Sequence, residues 1–320
     1  MKNSHLLVWS FLCLAAITSL AQSSPPGTNA PGASDAPALA LPPPLPGGLE
    51  YLHALVTGTA GGRPLHAEMV LPKTRPTRPM PAVIWIHGGG WKGGNHIGNP
   101  AGFLASYGYV GVSIEYRLTT EALWPAQIED CKLGVRWLRA NAATYDVDPD
   151  RIGCWGHSAG GQLVSLLGTT DAKAGFEGDG GYAGVSGRVS AVVDAAGPND
   201  PTRFPTWAPE VLFGKDRAKD TDLLKKASPL YWVGAGDPPF LIIHGDQDKS
   251  VPIEASMAFK EALQKARVPV QMVIVKGGDH GFSAPSPSAP PPQPDKKGIQ
   301  AIILHFFDVN LKGAAAATGK

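Results

Sequence analysis

Six residues, Gly156-His157-Ser158-Ala159-Gly160-Gly161, constrain this chain more than any others. They follow an apolar run, Arg151-Ile152-Gly153-Cys154-Trp155, and lead into Gln162-Leu163-Val164-Ser165-Leu166-Leu167, which reads as a helix. A serine between two glycines, joining a strand to a helix, requires a turn so tight that larger side chains at 156 and 160 would strike neighbouring backbone. Such a turn lifts the Ser158 hydroxyl clear of the chain. It also points the positive end of the following helix at any anion formed beside it. The short pattern alone also arises by chance, so it gains force only from partners elsewhere in the sequence.

The flanking chain supplies a suitable frame. Residues 51–57 and 65–71 read as two antiparallel strands turning at Gly61-Gly62. Residues 82–86, 109–116, 189–195, 239–244 and 270–275 are short apolar runs of the kind buried on both faces of a parallel sheet. Helical patterns lie between them near 100–107, 125–143 and 254–266, and another closes the chain at 299–311. Alternating strands and helices predict an α/β fold, a mainly parallel twisted sheet of about eight strands with helices on both faces. Residues 199–228 fit no simple strand–helix unit and read as a small lid or insertion, and 283–294 form a Pro-rich loop.

Three further motifs fall at predicted strand ends. His87-Gly88-Gly89-Gly90-Trp91 follows the 82–86 run. Glycines there let backbone N–H groups approach a developing oxyanion, and one such donor is worth ~3 kcal/mol. Gly89 and Gly90 are the candidate donors, with Gly88 a close competitor, matched by the N–H of Ala159 after the serine. His244-Gly245-Asp246-Gln247-Asp248 follows the 239–244 run and offers two aspartates. Asp248 lies further from the strand end, on chain able to turn toward a site, whereas Asp246 suits a loop-fixing role. Gly277-Gly278-Asp279-His280-Gly281-Phe282 follows the last strand, and His280 is the candidate general base. The order serine, aspartate, histidine is that of α/β-hydrolases and differs from the chymotrypsin and subtilisin orders. Trp91, His157 and Phe282 are candidate substrate contacts. Trp91, Trp124, Phe204, Trp207 and Phe282 together would suit an apolar acyl or aryl pocket, or equally an ordinary core.

From about residue 50 onward the chain resembles the esterase/lipase group that includes hormone-sensitive-lipase-like enzymes. It is most similar to the secreted bacterial feruloyl-esterase-like branch. The residues that carry this are His87 to Trp91, Glu115-Tyr116-Arg117-Leu118, Asp148-Pro149-Asp150-Arg151-Ile152, the 156–161 turn, and the Asp248 and His280 motifs. His157 stands where the hormone-sensitive-lipase branch usually carries aspartate. The resemblance implies the α/β-hydrolase fold and serine-dependent hydrolysis of carboxylic esters through Ser158, Asp248 and His280, with no metal and no cofactor. The implied substrates are small-molecule or polysaccharide-linked esters carrying short acyl, acetyl or feruloyl groups. Amide or peptide hydrolysis, lipid hydrolysis and a non-catalytic binding role on the same fold are the competing readings.

The remaining sequence sets the context. Lys2 and the apolar stretch 6–20, followed by Ser19-Leu20-Ala21, read as a secretory signal cleaved after Ala21, which implies a secreted or periplasmic protein. About 15 apolar residues fall short of the ~20 needed to span a bilayer, so no stable membrane insertion is expected after cleavage. Residues 22–46 are a Pro-rich linker, 47–312 the catalytic domain and 313–320 a flexible tail. A formal net charge of +1 without a Lys/Arg cluster excludes a nucleic-acid partner. Cys13 leaves with the signal, and Cys131 and Cys154 read as two buried free thiols.

Overall fold

The computed structural model describes residues 44, 47–200, 203 and 207–313. The expected signal (1–21), nearly all of the expected linker (22–46), Phe204 and residues 314–320 lie outside the described residues.

Eight strands form one sheet: β1 (Leu49–Ala60), β2 (Arg63–Pro72), β3 (Met80–Ile86), β4 (Val110–Ile114), β5 (Val147–His157), β6 (Ala191–Ala195), β7 (Phe240–Gly245) and β8 (Val270–Val275). Their spatial order is β1-β2-β4-β3-β5-β6-β7-β8. The β1–β2 and β2–β4 pairs are antiparallel, and every later pair is parallel. This is the α/β-hydrolase arrangement expected from the sequence. The chain steps from β3 outward to β4, then returns to lay β5 on the other side of β3. Ligand crevices of open α/β sheets form where the winding reverses in this way. Both the His87 loop and the Ser158 turn leave their strands at that point.

Alternation along the strands serves a core on each face. In β3, Ala82, Ile84 and Ile86 enter one cluster with Ile128, Val135, Leu163 and Phe259. Val83 enters the opposite cluster with Leu104, Ile303 and Phe307. The first face is covered by α1 (Ala126–Ala140), α2 (Ala159–Thr169) and α6 (Ile253–Lys265), and the second by α7 (Lys296–Phe307) and a 3-10 helix over Pro100–Tyr107. The helix read at 100–107 is thus of the tighter kind. Gly111 leaves it little room, since a Cβ there would stand 2.5 Å from the Ala101 carbonyl oxygen. The helix read at 125–143 ends earlier, at Ala140, where the Asn141 side chain donates to the Trp137 carbonyl (2.8 Å).

The 199–228 segment contains α3 (Trp207–Phe213) and α4 (Thr221–Lys226), and a third short helix, α5 (Pro229–Trp232), follows it. Ala208, Leu212, Phe213 and Ala227 join the core. Its two ends are tied together, with Ser228 Oγ (2.7 Å) and the Leu230 N–H (3.3 Å) both donating to the Asn199 carbonyl. The Pro-rich loop is likewise closed at its base, by two backbone hydrogen bonds between Lys276 and Gln293. Cys131 and Cys154 are both free and fully buried.

Candidate active site

The turn at Ser158 is a strained one. Its φ of +58° and ψ of −123° are unusual for a side-chain-bearing residue and cost about 1–3 kcal/mol. The surroundings hold it there. The Ser158 N–H donates to the Ala195 carbonyl (2.8 Å), and its own carbonyl accepts from the Gln162 N–H (3.2 Å). A Cβ on Gly156 would stand 2.3 Å from the Gly160 oxygen, and one on Gly160 would stand 2.1 Å from the Ile86 oxygen. Neither position accepts any other residue without moving a strand, which is what the spacing predicted.

This turn delivers the serine hydroxyl to His280, whose Nε2 lies 2.8 Å from Ser158 Oγ. On the far side of the ring, Nδ1 lies 2.7 Å from Asp248 Oδ2. A carboxylate only accepts, so Nδ1 carries the hydrogen and Nε2 is free to receive one. Asp248 is placed by its own loop: Oδ1 accepts from the backbone N–H groups of Ser250 (2.7 Å) and Val251 (2.9 Å). Burial alone would raise its pKa. The hydrogen bonds from His244, His280 and Val251 outweigh burial and hold this carboxyl well below the usual range. The competing Asp246 is exposed and instead caps the last loop, accepting from the Gly277 N–H (2.7 Å).

The glycine loop lies against the serine. A Cβ on Gly88 would stand 3.1 Å from Ser158 Cβ and 2.8 Å from the His157 oxygen, so Gly88 is the glycine packed on the nucleophile. Gly89 and Gly90 adopt φ of +112° and +59°. The Gly89 carbonyl accepts from Lys92 and Gly93, which closes the loop back on itself. Ala159 opens α2 directly after the serine. The Glu115-Tyr116-Arg117 stretch braces this loop from beneath. Tyr116 stacks on His87 (4.2 Å between ring centres) and donates its hydroxyl to the His87 carbonyl (3.1 Å). Arg117 forks onto Asp130 with two 2.8 Å bonds.

Of the candidate contacts, Trp91 takes another position. Trp91 is only 2% exposed and donates its indole N–H to Gln162 Oε1 (3.1 Å). It is a core side chain, turned inward by its φ of +59°. His157 is half-buried and engaged with the base. Its Nε2 donates to the His280 backbone oxygen (2.6 Å), and its ring lies 4.8 Å from that of His280. Burial lowers its pKa, which keeps the ring neutral beside the base. Phe282 is half-buried and packs edge-on against His157. Trp207, by contrast, is 43% exposed. The edge of its indole would lie 3.7 Å from a Cβ on Gly90, so an open aromatic face stands over the glycine loop.

One contact escaped the sequence reading. His244, fully buried, places Nε2 3.2 Å from Asp248 Oδ2. Its only trace in the sequence is its position opening the Asp248 motif. A separate cleft of about 440 Å³, lined by Tyr51, Glu68, Asn99 and Phe103, lies at the β1–β2 edge and contains none of these groups. Among the described residues, no helix is long and apolar enough to cross a membrane, and no group of three or more His, Cys, Asp or Glu side chains is placed to hold a metal ion.

Comparison with known proteins supplies independent findings. The sequence profile of the BD-FAE family matches residues 68–263, and that of the dienelactone hydrolase family matches 224–309. Esterase LipC of Mycobacterium tuberculosis is 32% identical over 222 residues, 66% of this chain and 55% of that protein. The chain spans about half the length of the curated relatives it matches. Among solved structures, a truncated carbohydrate esterase from gut microbiota superposes with a TM-score of 0.71 at 29% identity, over 82% of this chain and 96% of that one. An acetyl ester-xyloside bifunctional hydrolase from Caldicellulosiruptor lactoaceticus gives a TM-score of 0.61 at 29% identity, over 70% of this chain and 82% of that one.

Proposed function

The chain belongs to the BD-FAE family, and from that premise we propose that it is a serine hydrolase of carboxylic esters that works through Ser158, His280 and Asp248. The observation that carries the proposal is the unbroken line from Ser158 Oγ through His280 to Asp248, with contacts of 2.8 and 2.7 Å. In the reaction, His280 Nε2 takes the hydroxyl proton as Ser158 Oγ bonds to the ester carbon, and Asp248 steadies the imidazolium. The carbonyl oxygen becomes an alkoxide facing the N–H of Ala159 and those of Gly89 and Gly90. The alkoxide collapses, the C–O bond to the alcohol breaks, and His280 returns its proton to the departing oxygen. Water then repeats the sequence on the acyl-enzyme, releasing the acid and restoring Ser158.

For the substrate, the proposal is a short acyl group, acetyl or feruloyl, on a saccharide. The solved relatives named as carbohydrate and acetyl ester-xyloside hydrolases support this. So does the open face of Trp207 over the glycine loop, since aromatic faces stack well on sugar and aryl rings. The signal pattern at 1–21 supports export, and a mature N-terminus at Gln22 by mass spectrometry checks that reading.

The decisive assay sets Ser158→Ala against a panel of p-nitrophenyl esters, methyl ferulate and acetylated xylo-oligosaccharides. Loss of a nucleophile costs about 10³-fold or more in kcat. Wild-type turnover by Ser158→Ala overturns the mechanism. A preference for long-chain acyl esters or for amides overturns the substrate reading.

A further inference from the structure

We propose that His244 is a positioning residue for this reaction, its buried Nε2–H holding Asp248 Oδ2 in the orientation that serves His280. The inference rests on the triad reading above. His244 belongs to β7 and is 0% exposed. Its Nε2 lies 3.2 Å from Asp248 Oδ2 and 3.0 Å from the Val251 carbonyl oxygen. Both of those atoms only accept, so Nε2 carries the hydrogen, which it donates to Val251 with the carboxylate oxygen close alongside. On the other side, Nδ1 lies 2.8 Å from Ser256 Oγ, whose hydroxyl then donates. Ser256 is itself fully buried on α6. A continuous line results, Ser256–His244–Asp248–His280–Ser158, with contacts of 2.8, 3.2, 2.7 and 2.8 Å.

A histidine that merely packs would need only to have its own nitrogens satisfied. This one sets Nε2 between the Val251 carbonyl oxygen, which takes its hydrogen bond (3.0 Å), and the carboxylate oxygen that His280 also uses, 3.2 Å away. Asp248 thereby receives imidazole N–H groups on Oδ2 and backbone N–H groups on Oδ1, which fixes the carboxylate plane. Without His244, Oδ2 is held by His280 alone. The carboxylate can then rotate with the base, and its charge is shared with one imidazole fewer. Two effects follow. Turnover falls while substrate affinity does not, and the acid limb of the kcat/KM profile moves to higher pH because less-shared negative charge favours the His280 imidazolium.

The other ionisable groups around this line stay in place in the variants. They are His157 beside His280, Asp194 on β6, which acts on His244 through space, and Asp279, whose carboxylate accepts from the Gly281 and Ser283 N–H groups.

The test compares His244→Leu, His244→Gln and Ser256→Ala in the full-length protein, with folding checked by circular dichroism. The Gln amide can place a donor near the site of Nε2. His244→Leu is expected to lower kcat about 30-fold at nearly unchanged KM and to raise the acid limb by about half a pH unit or more. His244→Gln is expected to recover about tenfold of that loss and to restore the limb. A folded His244→Leu with wild-type kcat and acid limb overturns the proposal, as does a Gln variant no better than Leu. Should His244→Leu not fold, Ser256→Ala decides. A drop in kcat of about threefold or more with a raised limb supports the proposal, and wild-type values for both overturn it. Ser158→Ala runs in parallel to separate the two readings. If it retains turnover, the triad itself fails; if it is inactive and the His244 series behaves as wild type, only the positioning role fails.

Discussion

Asp248 and Asp194 are two buried carboxylates near the carboxyl ends of neighbouring strands, and they differ sharply in ionisation. Asp248 takes donors from two imidazoles and two backbone N–H groups and is held well below the usual carboxylate range. Asp194 is fully buried, and that burial outweighs its donors, among them Asn199 Nδ2 (2.5 Å) and the Gly197 N–H (2.9 Å), so its pKa is pushed up to about 6. Depth is part of the difference, since Asp194 is buried throughout whereas Asp248 is half-buried as a residue. The quality of the donors is the rest. Imidazoles that can carry charge make one carboxylate a permanent anion able to orient a base, while two amide donors leave the other close to neutralisation.

Replacing Asp248 tests the first half of this contrast most directly. Asp248→Asn is expected to cut kcat about 10⁴-fold, because an amide facing His280 Nδ1 favours the wrong tautomer. Asp246→Asn, two residues away, should leave kcat within about threefold, since Asp246 accepts from Gln247 and the Gly277 N–H and touches neither imidazole. Equal losses in the two variants would erase the distinction between them.

The second half concerns stability. Asp194 has a folded pKa of about 6, above its unfolded value near 3.8. Its contribution is therefore complete below about pH 4 and is lost as pH rises through 6, a change of ~3 kcal/mol for about two pKa units. Urea unfolding of the wild type and Asp194→Asn at steps from pH 4 to 7.5 should show the gap between the two curves changing by that amount. Parallel curves would mean that Asp194 titrates normally.

The difference between these carboxylates also marks how far the sequence could be read. Ser158, Asp248 and His280 were legible because each lies in a glycine-bearing motif just past an apolar strand, so topology alone brings them together. Asp248 could be preferred over Asp246 by its distance from the strand end. Asp194 lies next to the last residue of β6 with no motif around it, and its burial depends on helix α2 packing across that strand. The side-chain contacts were less accessible. His157 reaches the His280 carbonyl across 123 residues, a pairing that no spacing encodes. Trp91 follows three glycines in a loop and looks like a mouth residue, but its positive φ sends the indole to Gln162 instead. Strand positions follow from local patterns, whereas side-chain partners depend on how helices settle onto the sheet.

The tie between Ser228 and Asn199 has a consequence for variation in this chain. With both ends of the 199–228 segment fastened to one carbonyl, it is closed at its base, while Ala208, Leu212, Phe213 and Ala227 seat it in the core. Doubling the length of such a loop costs only ~0.6 kcal/mol in closure entropy. Trp207, the aromatic face over Gly90, sits on this segment, while Ser158, Asp248 and His280 do not. Changes confined to its exposed positions, Trp207 first among them, can therefore redraw what the site recognises while its core residues keep the bond-breaking groups where they are.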